Sequence, residues 1–465
     1  MPDAKTNSKL FKTKFSSAFW VANSVELLER LAYYAVFIVI TLYLSNIWGF
    51  SDIEAGAISG VFSATLYLLP LFSGAYADKI GFRKAIIVAF LLLTIGYLGL
   101  GVLPTLLESA ELVSYGKTTT FTGLNESYLR WSIVPVMAFI VLGGSFIKSV
   151  ISGTVARETT SENRARGYSI FYMMVNIGAF TGKTVVDPLR RSLGDQGLVY
   201  LNYFSASMTL MALIAVIMFY KSAGKPAGEG KSFGQIGRDM IKVLSNGRLL
   251  ALILIISGFW MIQSQMYATM PKYVIRLIGD GATPGWYANV NPLVVFVLVN
   301  FITSFMKKRT ALTSMIIGML IIPFSALVMS FGNQLSADTI LGMHPVAFMM
   351  IIGIAMQAVA ECFISPRFLE YFSLQAPKGQ EGLYLGFSHL HSFFSYLFAF
   401  GLSGFLLDRY CPDPRGFSSP EAFAAATQHA HYIWYVFVGI GLISAFALLI
   451  YGRLTVKELK KDTQE

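Results

Sequence analysis

The sequence has 465 residues, of which 55% are hydrophobic and only 13% are charged. Soluble globular proteins carry roughly 25% charged residues, so this chain has too few to cover a water-facing surface, and a soluble enzyme is excluded. The net charge of +10 comes from basic residues in short segments between apolar stretches, where such residues orient a membrane protein. We therefore expect the lipid bilayer as a partner and no nucleic acid.

Apolar segments of about 20 residues recur from one end of the chain to the other. Each is long enough to cross roughly 30 Å of hydrocarbon as a helix. They predict twelve membrane-spanning helices, at 17–45, 54–76, 84–104, 131–156, 168–189, 198–220, 248–277, 285–306, 310–332, 343–372, 382–408 and 431–452.

The loops between these helices differ in charge. Basic residues are concentrated in alternate loops and in the C-terminal tail, which predicts that both termini are cytoplasmic. The longest cytoplasmic connection follows the sixth helix and contains a possible short interfacial helix at 233–246. We predict a six-helix half at 1–222, a cytoplasmic linker at 223–247 and a second six-helix half at 248–465. Two such halves are expected to be related by an axis along the membrane normal.

Five ionisable residues lie well inside predicted helices: Glu26, Glu29, Arg30, Lys148 and Glu361. Each costs about 2.5–3.5 kcal/mol near the centre of a membrane, so these residues must pair or line water. Glu26 and Arg30 are four residues apart with the acid first, which favours pairing on one helix. The charges predict a midplane site for a charged solute. Two alternatives are an intrahelical salt bridge of structural value only, and a Lys148 that merely neutralises the acids.

Other polar residues inside the predicted helices are interpreted as structural. Lys183 and Asp187 are four residues apart near the outer end of the fifth helix and form a predicted pair. His389 and His391 are two residues apart and so point to different faces of a helix, which favours packing over proton handling. The sequence contains no metal-ligand spacing, phosphate loop or Ser/His/Asp arrangement placed for chemistry. We expect no metal, no cofactor and no enzymatic activity.

Residues 74–84, GAYADKIGFRK, resemble the loop signature of the major facilitator superfamily between its second and third helices. The resemblance implies a gate or structural role for Asp78 and Arg83, because an acid there can pair with basic groups as the inner gate moves.

A second resemblance is more specific. Residues 26–35, ELLERLAYYA, and 167–180, GYSIFYMMVNIGAF, resemble the first- and fifth-helix signatures of the proton-dependent oligopeptide transporter family. Shorter matches at 67–70, 259–260, 291–293 and 361–366 follow in the family's order. The resemblance implies an all-α membrane protein with the major facilitator fold, twelve transmembrane helices in two six-helix halves.

The resemblance also implies roles for single residues. Glu26, Glu29, Arg30 and Lys148 would form the proton-coupling cluster. Lys148 would also receive a substrate carboxylate, and Glu361 a substrate amine. The other substrate-binding residues implied are Tyr33, Tyr34, Tyr67, Asn176 and Trp260.

The sequence departs from this family at three informative positions. Phe37 stands where many peptide-transporting members have an arginine, Ser264 where the seventh helix has a coupling glutamate, and Ser388 where the eleventh has a tryptophan. The intramembrane charges and the family resemblance together predict a proton-coupled importer that works by alternating access. Its solute is predicted to be small and polar, peptide-like or zwitterionic. A proton-antiport exporter of amphiphilic or drug-like compounds is the alternative. We expect a monomer in the inner membrane, with solute and protons as its other partners.

Overall fold

The computed structural model describes residues 15–160, 163–221, 232–375 and 386–462. A short antiparallel hairpin, β1 (Val113–Ser114) and β2 (Thr120–Phe121), interrupts an otherwise helical chain. The helices are α1 (Ser17–Phe37), α2 (Ile40–Trp48), α3 (Asp52–Leu68), α4 (Pro70–Ile80), α5 (Phe82–Ser109), α6 (Ile133–Arg157), α7 (Arg164–Leu193), α8 (Asp195–Phe219), α9 (Phe233–Leu244), α10 (Gly247–Gln263), α11 (Gln265–Ala268), α12 (Met270–Ile278), α13 (Pro284–Ala288), α14 (Val290–Phe305), α15 (Ala311–Phe331), α16 (Pro345–Leu374), α17 (Leu390–Tyr410), α18 (Pro420–Thr427) and α19 (Tyr432–Asp462).

Most of the predicted spans appear directly as long apolar helices. In the described part of the chain, nine helical segments are long and apolar enough to cross a membrane, and eleven if each bent pair is one span. The bent pairs are α1 with α2, at 53°, and α3 with α4, at 41°. Helix α7 corresponds to the predicted fifth span, but its several charged residues make it more polar than the others. With α7 included, each predicted span has a helical counterpart; residues 382–385 of the eleventh lie outside the described residues.

The chain folds into two compact units. The first contains the described residues up to Phe37 together with Leu69–Gly237, and the second contains Ile38–Leu68 and the rest of the chain from Arg238. Segment Ile38–Leu68 thus groups with the C-terminal helices, because α3 packs along α17. The predicted linker at 223–247 stays a prediction, since residues 223–231 lie outside the described part. A helix is present within it as α9, and its interfacial position stays a prediction.

Pairs of glycines four residues apart allow close helix packing within each unit. A Cβ at Gly178 or Gly182 of α7 would lie 2.6 Å from Leu27 O and 2.5 Å from Leu31 O, respectively. The two glycines therefore let α7 lie directly against the backbone of α1, the helix that carries Glu26, Glu29 and Arg30. This use of small residues at spacing four is typical of helices packed in a membrane, where close van der Waals contact replaces the hydrophobic effect.

The second unit repeats this arrangement. A Cβ at Gly56 or Gly60 of α3 would lie 2.5 Å from Phe400 O and 3.1 Å from Leu397 O of α17, respectively. From the other side, a Cβ at Gly404 of α17 would lie 2.4 Å from Asp52 O. Helices α3 and α17 thus meet backbone to backbone, which places Asp52 at the buried end of their interface.

Candidate functional site

The first unit buries a charged cluster on α1. Arg30 Nε lies 3.0 Å from Glu26 Oε1, and Arg30 Nη2 lies 2.5 Å from Glu29 Oε2. All three side chains are at most 10% exposed. The i,i+4 pair expected from the sequence is therefore present, but one guanidinium serves two carboxylates, so these three residues have a net charge of −1.

Lys148 of α6 provides the balancing positive charge. It lies close enough to both carboxylates for its charge to act on Glu26 and on Glu29. Two carboxyl groups and two basic groups are thus buried near one another, and their formal charges cancel when all four are ionised, which reduces the cost of burying them in the membrane. The structure thus brings together the four residues that the sequence assigned to one cluster.

The phenol of Tyr97 belongs to the same environment and was not predicted from the sequence. Tyr97 lies on α5, is 2% exposed and interacts electrostatically with Glu29 and Arg30. The one feature of the sequence that could have indicated its role is that Tyr97 carries a hydroxyl group within an otherwise apolar span.

Aromatic rings continue from this cluster along α1. Tyr33 lies under the Arg30 guanidinium, with 5.6 Å from Arg30 Cζ to the ring centre, and stacks on Phe37 at 4.8 Å. Tyr34 meets the edge of Tyr33 at 5.2 Å, and Lys183 Nζ of α7 lies 5.4 Å from the centre of the Tyr34 ring. Lys183 therefore makes a cation–π contact with a residue that the resemblance placed in the solute cavity.

The other residues predicted for the first unit lie in different surroundings. Asn176 Nδ2 donates to Tyr172 O of the preceding turn at 2.7 Å. Arg83 is exposed, and its Nη2 donates to Ile217 O at 3.0 Å. Asp187 is buried like Lys183, and their predicted pairing stays a prediction. The side chain of Asp78 lies outside the described part of the structure.

Three of the predicted site residues, Tyr67, Trp260 and Glu361, belong to the second unit. Glu361 of α16 is half-buried and accepts two hydrogen bonds at one oxygen, Oε2. The donors are Gln263 Nε2 at 2.9 Å and Asn291 Nδ2 at 3.0 Å. Both donors are neutral amides that the membrane tolerates better than a charge.

The remaining predicted residues of the second unit make aromatic contacts. Tyr67 stacks on Tyr396 with ring centres 5.0 Å apart. Trp260 lies 5.4 Å from the ring of His391, which is buried and whose Nδ1 lies 2.5 Å from Ser388 O. These contacts favour the packing interpretation of His391.

Ser264, which stands where the related family has a glutamate, is also buried. Its Oγ donates to Met261 O at 3.0 Å, within its own helical segment. The Ser264 hydroxyl therefore forms a hydrogen bond with the backbone of its own helical segment, and it carries no charge of the kind that a glutamate would have at this position.

A second buried charge cluster was missed in the sequence. Lys272 Nζ lies 2.6 Å from Asp52 Oδ1, and Arg276 Nη1 lies 2.7 Å from Asp52 Oδ2. Lys272 Nζ also donates to Ser45 Oγ at 2.6 Å, and Arg276 Nη1 donates to Cys411 O at 2.6 Å. The cluster therefore joins α2, α3 and α12 with the end of α17.

Comparison with known proteins shows the superfamily to which the chain belongs. The family model of the Major Facilitator Superfamily matches residues 24–343. The chain belongs to this superfamily.

Several superfamily members resemble the chain over long stretches. Solute carrier family 15 member 2 of Mus musculus is 28% identical over 246 residues, which are 50% of this chain and 31% of that protein. The match thus spans about a third of the mammalian protein. The dipeptide and tripeptide permease A of Citrobacter koseri is 22% identical, over 80% of this chain and 81% of the permease. A relative with a different name, the multidrug resistance protein MdtH of Cronobacter sakazakii, is 21% identical over 82% of this chain and 84% of its own length.

Solved structures give the same fold. The POT family transporter PepTSo aligns with a TM-score of 0.69 and 18% identity, covering 95% of this chain and 98% of its own. The predicted all-α major facilitator fold and the resemblance to proton-dependent oligopeptide transporters are thereby confirmed. These relatives and structural neighbours are transporters rather than enzymes, and the chain is a multi-pass membrane protein.

Proposed function

We propose that this chain is a proton-coupled symporter that imports a small polar solute, peptide-like or otherwise zwitterionic, by alternating access. The observation that carries the proposal is the buried cluster of Glu26, Glu29, Arg30 and Lys148, in which two acids balance two bases. The resemblance to a dipeptide and tripeptide permease supports the solute class.

The charge balance of the cluster links protons to solute. Glu26 Oε2 is buried and has no hydrogen-bond partner among the described residues, so it is a suitable position for a proton. Protonation of either carboxylate leaves the two bases in excess by one charge, and the buried site then favours an incoming anion. A solute carboxylate near Lys148 restores the balance, so proton and solute stabilise one another in the loaded carrier.

Replacing Lys148 with alanine is expected to weaken binding of carboxylate-bearing solutes by about 100-fold, since a buried charged hydrogen bond contributes about 1.5–3 kcal/mol and the anion would lose its partner. The measurement compares the Kd of a dipeptide and of its C-terminal amide for wild type and Lys148→Ala. A selective loss for the free carboxylate supports the role of Lys148. An unchanged Kd for the dipeptide would show that the lysine only neutralises Glu26 and Glu29.

Glu361 is proposed to recognise the amine of the solute, and its two amide donors are proposed to position it. Replacing Gln263 or Asn291 with leucine is expected to weaken binding of amine-bearing solutes about tenfold, because each hydrogen bond to a carboxylate contributes about 1.5–3 kcal/mol. The Kd of a dipeptide is compared with that of its N-acetylated form.

The matched control for these variants is Gln334→Leu, since Gln334 donates to Ser330 O and Tyr435 OH away from Glu361. If Gln263→Leu and Asn291→Leu bind both solutes as Gln334→Leu does, the two amides have no part in amine recognition.

The carrier is proposed to act as a monomer in a bacterial inner membrane, with both termini in the cytoplasm. The basic residues of alternate loops support this orientation.

A second candidate is a proton-antiport exporter of amphiphilic compounds. Phe37, which stacks on Tyr33, is an apolar residue where many peptide carriers have an arginine. The resemblance to a multidrug resistance protein supports the same reading.

Uptake into proteoliposomes with an inward proton gradient distinguishes the two candidates. Gradient-driven accumulation of a labelled dipeptide supports the symporter and shows that Ser264 is compatible with coupling. A folded protein that accumulates no dipeptide from a broad panel, and instead extrudes a lipophilic cation, would overturn the symporter in favour of the exporter.

A further inference from the structure

A cleft of about 810 Å³ opens at one end of the helices of the second unit. Helix α10 begins beside it at Gly247, α15 begins at Ala311, and α16 ends at Leu374. Ends of membrane-spanning helices lie at the level of the lipid headgroups. The cleft therefore faces the polar boundary of the bilayer.

The charges that line this cleft are mostly positive. Its lining contains five basic side chains, Arg248, Lys307, Arg309, Arg367 and Arg453, and one acid, Glu370. An anion is therefore the ligand that these walls favour.

Arg367 forms the fixed base of the cleft. It is 9% exposed, its Nη1 lies 2.7 Å from Glu370 Oε2, and its Nη2 donates to Met306 O at 2.5 Å. The single acid of the lining is thus already paired. Arg367 Nε is buried and has no hydrogen-bond partner among the described residues, so the guanidinium is not fully satisfied by its protein contacts.

The same cleft also has apolar walls. Leu374 and Leu454 line it and are largely exposed, and Ile316 and Leu449 add further aliphatic surface. Phosphate alone makes no use of such surface, whereas a lipid places acyl chains directly beside its phosphate. Basic pockets between membrane helices bind anionic lipid headgroups for this reason.

We propose that this cleft binds the phosphate-bearing headgroup of an anionic phospholipid. The guanidinium groups and Lys307 contact the phosphate, and the leucine side chains contact the first carbons of the acyl chains. The site lies within the second unit and is independent of the proposed transport activity.

The test measures lipid binding to the full-length protein in detergent by native mass spectrometry. The probes are dioctanoyl phosphatidylglycerol, dioctanoyl phosphatidylcholine and inorganic phosphate. We expect phosphatidylglycerol to bind at least tenfold more tightly than phosphatidylcholine. The double variant Arg309→Gln/Arg453→Gln is expected to lose about thirtyfold in affinity for phosphatidylglycerol, since each of the two basic residues near an anionic lipid contributes about 1 kcal/mol.

The matched control is Lys308→Gln/Arg164→Gln, which removes two exposed basic residues that do not line the cleft. Full phosphatidylglycerol affinity in this control supports the proposal. Equal loss in both double variants, or equal binding of the two lipids, overturns it. Displacement of phosphatidylglycerol by inorganic phosphate at the same concentration also overturns it, because the acyl chains would then contribute nothing and the cleft would bind free phosphate.

Discussion

Replacing Asp52 with asparagine is expected to lower the free energy of unfolding by about 3–5 kcal/mol, the cost of removing one partner from a buried ion pair. Asp52 is the shared acceptor of Lys272 and Arg276, which are 1% and 9% exposed. Without its charge, the two buried cations repel one another across a neutral amide. The effect is expected as a lower thermal midpoint of the purified protein in detergent.

Asp413 provides the matched control for this variant. Its carboxylate is 31% exposed and lies 3.7 Å from Arg276 Nη2, so Asp413→Asn is expected to have a small effect because exposed ion pairs contribute roughly 0–1 kcal/mol. Adding Lys272→Met to Asp52→Asn is expected to restore part of the lost stability, since it removes one unpaired cation. Equal thermal midpoints for Asp52→Asn and Asp413→Asn would show that the cluster does not stabilise the fold.

Replacing Glu29 with glutamine is expected to reduce proton-driven accumulation of solute by at least tenfold, while solute exchange without a gradient continues. The glutamine keeps the shape of the side chain but cannot take up and release a proton. Arg30 keeps its second carboxylate, Glu26, at 3.0 Å, so the helix is expected to remain intact. Glu26→Gln is expected to behave in the same way, because the two acids share one guanidinium.

The measurement for these variants is paired uptake and counterflow in proteoliposomes. Glu126→Gln is the control, since Glu126 lies exposed in the loop before α6. Loss of accumulation together with preserved counterflow assigns the carboxylates to proton coupling. Accumulation at the wild-type level in both variants would remove them from that role, and equal loss of accumulation and counterflow would indicate a structural role instead.

The sequence by itself determined the membrane class, the twelve helices and the cluster on α1. Length and hydropathy decide a membrane-spanning helix locally, because each span must satisfy its own backbone hydrogen bonds within lipid. The pairing of Glu26 with Arg30 could also be predicted from the sequence, since two residues four apart on one helix lie on the same face. Lys148 was assigned to the same cluster by the resemblance to the proton-dependent oligopeptide transporter family, and the cost of an isolated charge at its depth agrees with that assignment.

The tertiary structure alone decided which distant residues meet. Asp52 lies just before the predicted second span, and its partners Lys272 and Arg276 follow more than 200 residues later. Nothing local connects them; the close approach of α3 to α17 at Gly56 and Gly404 buries Asp52 and so makes its pairing obligatory.

The two amides that donate to Glu361 were also not predicted from the sequence. A neutral Gln263 in an apolar span does not stand out by charge, and its role depends on three helices that bring it and Asn291 to one carboxylate oxygen. Membrane spans and ion pairs within one helix follow from the local spacing of residues. Contacts between helices depend on how the side chains of many residues pack together, and no single segment of the sequence determines that packing.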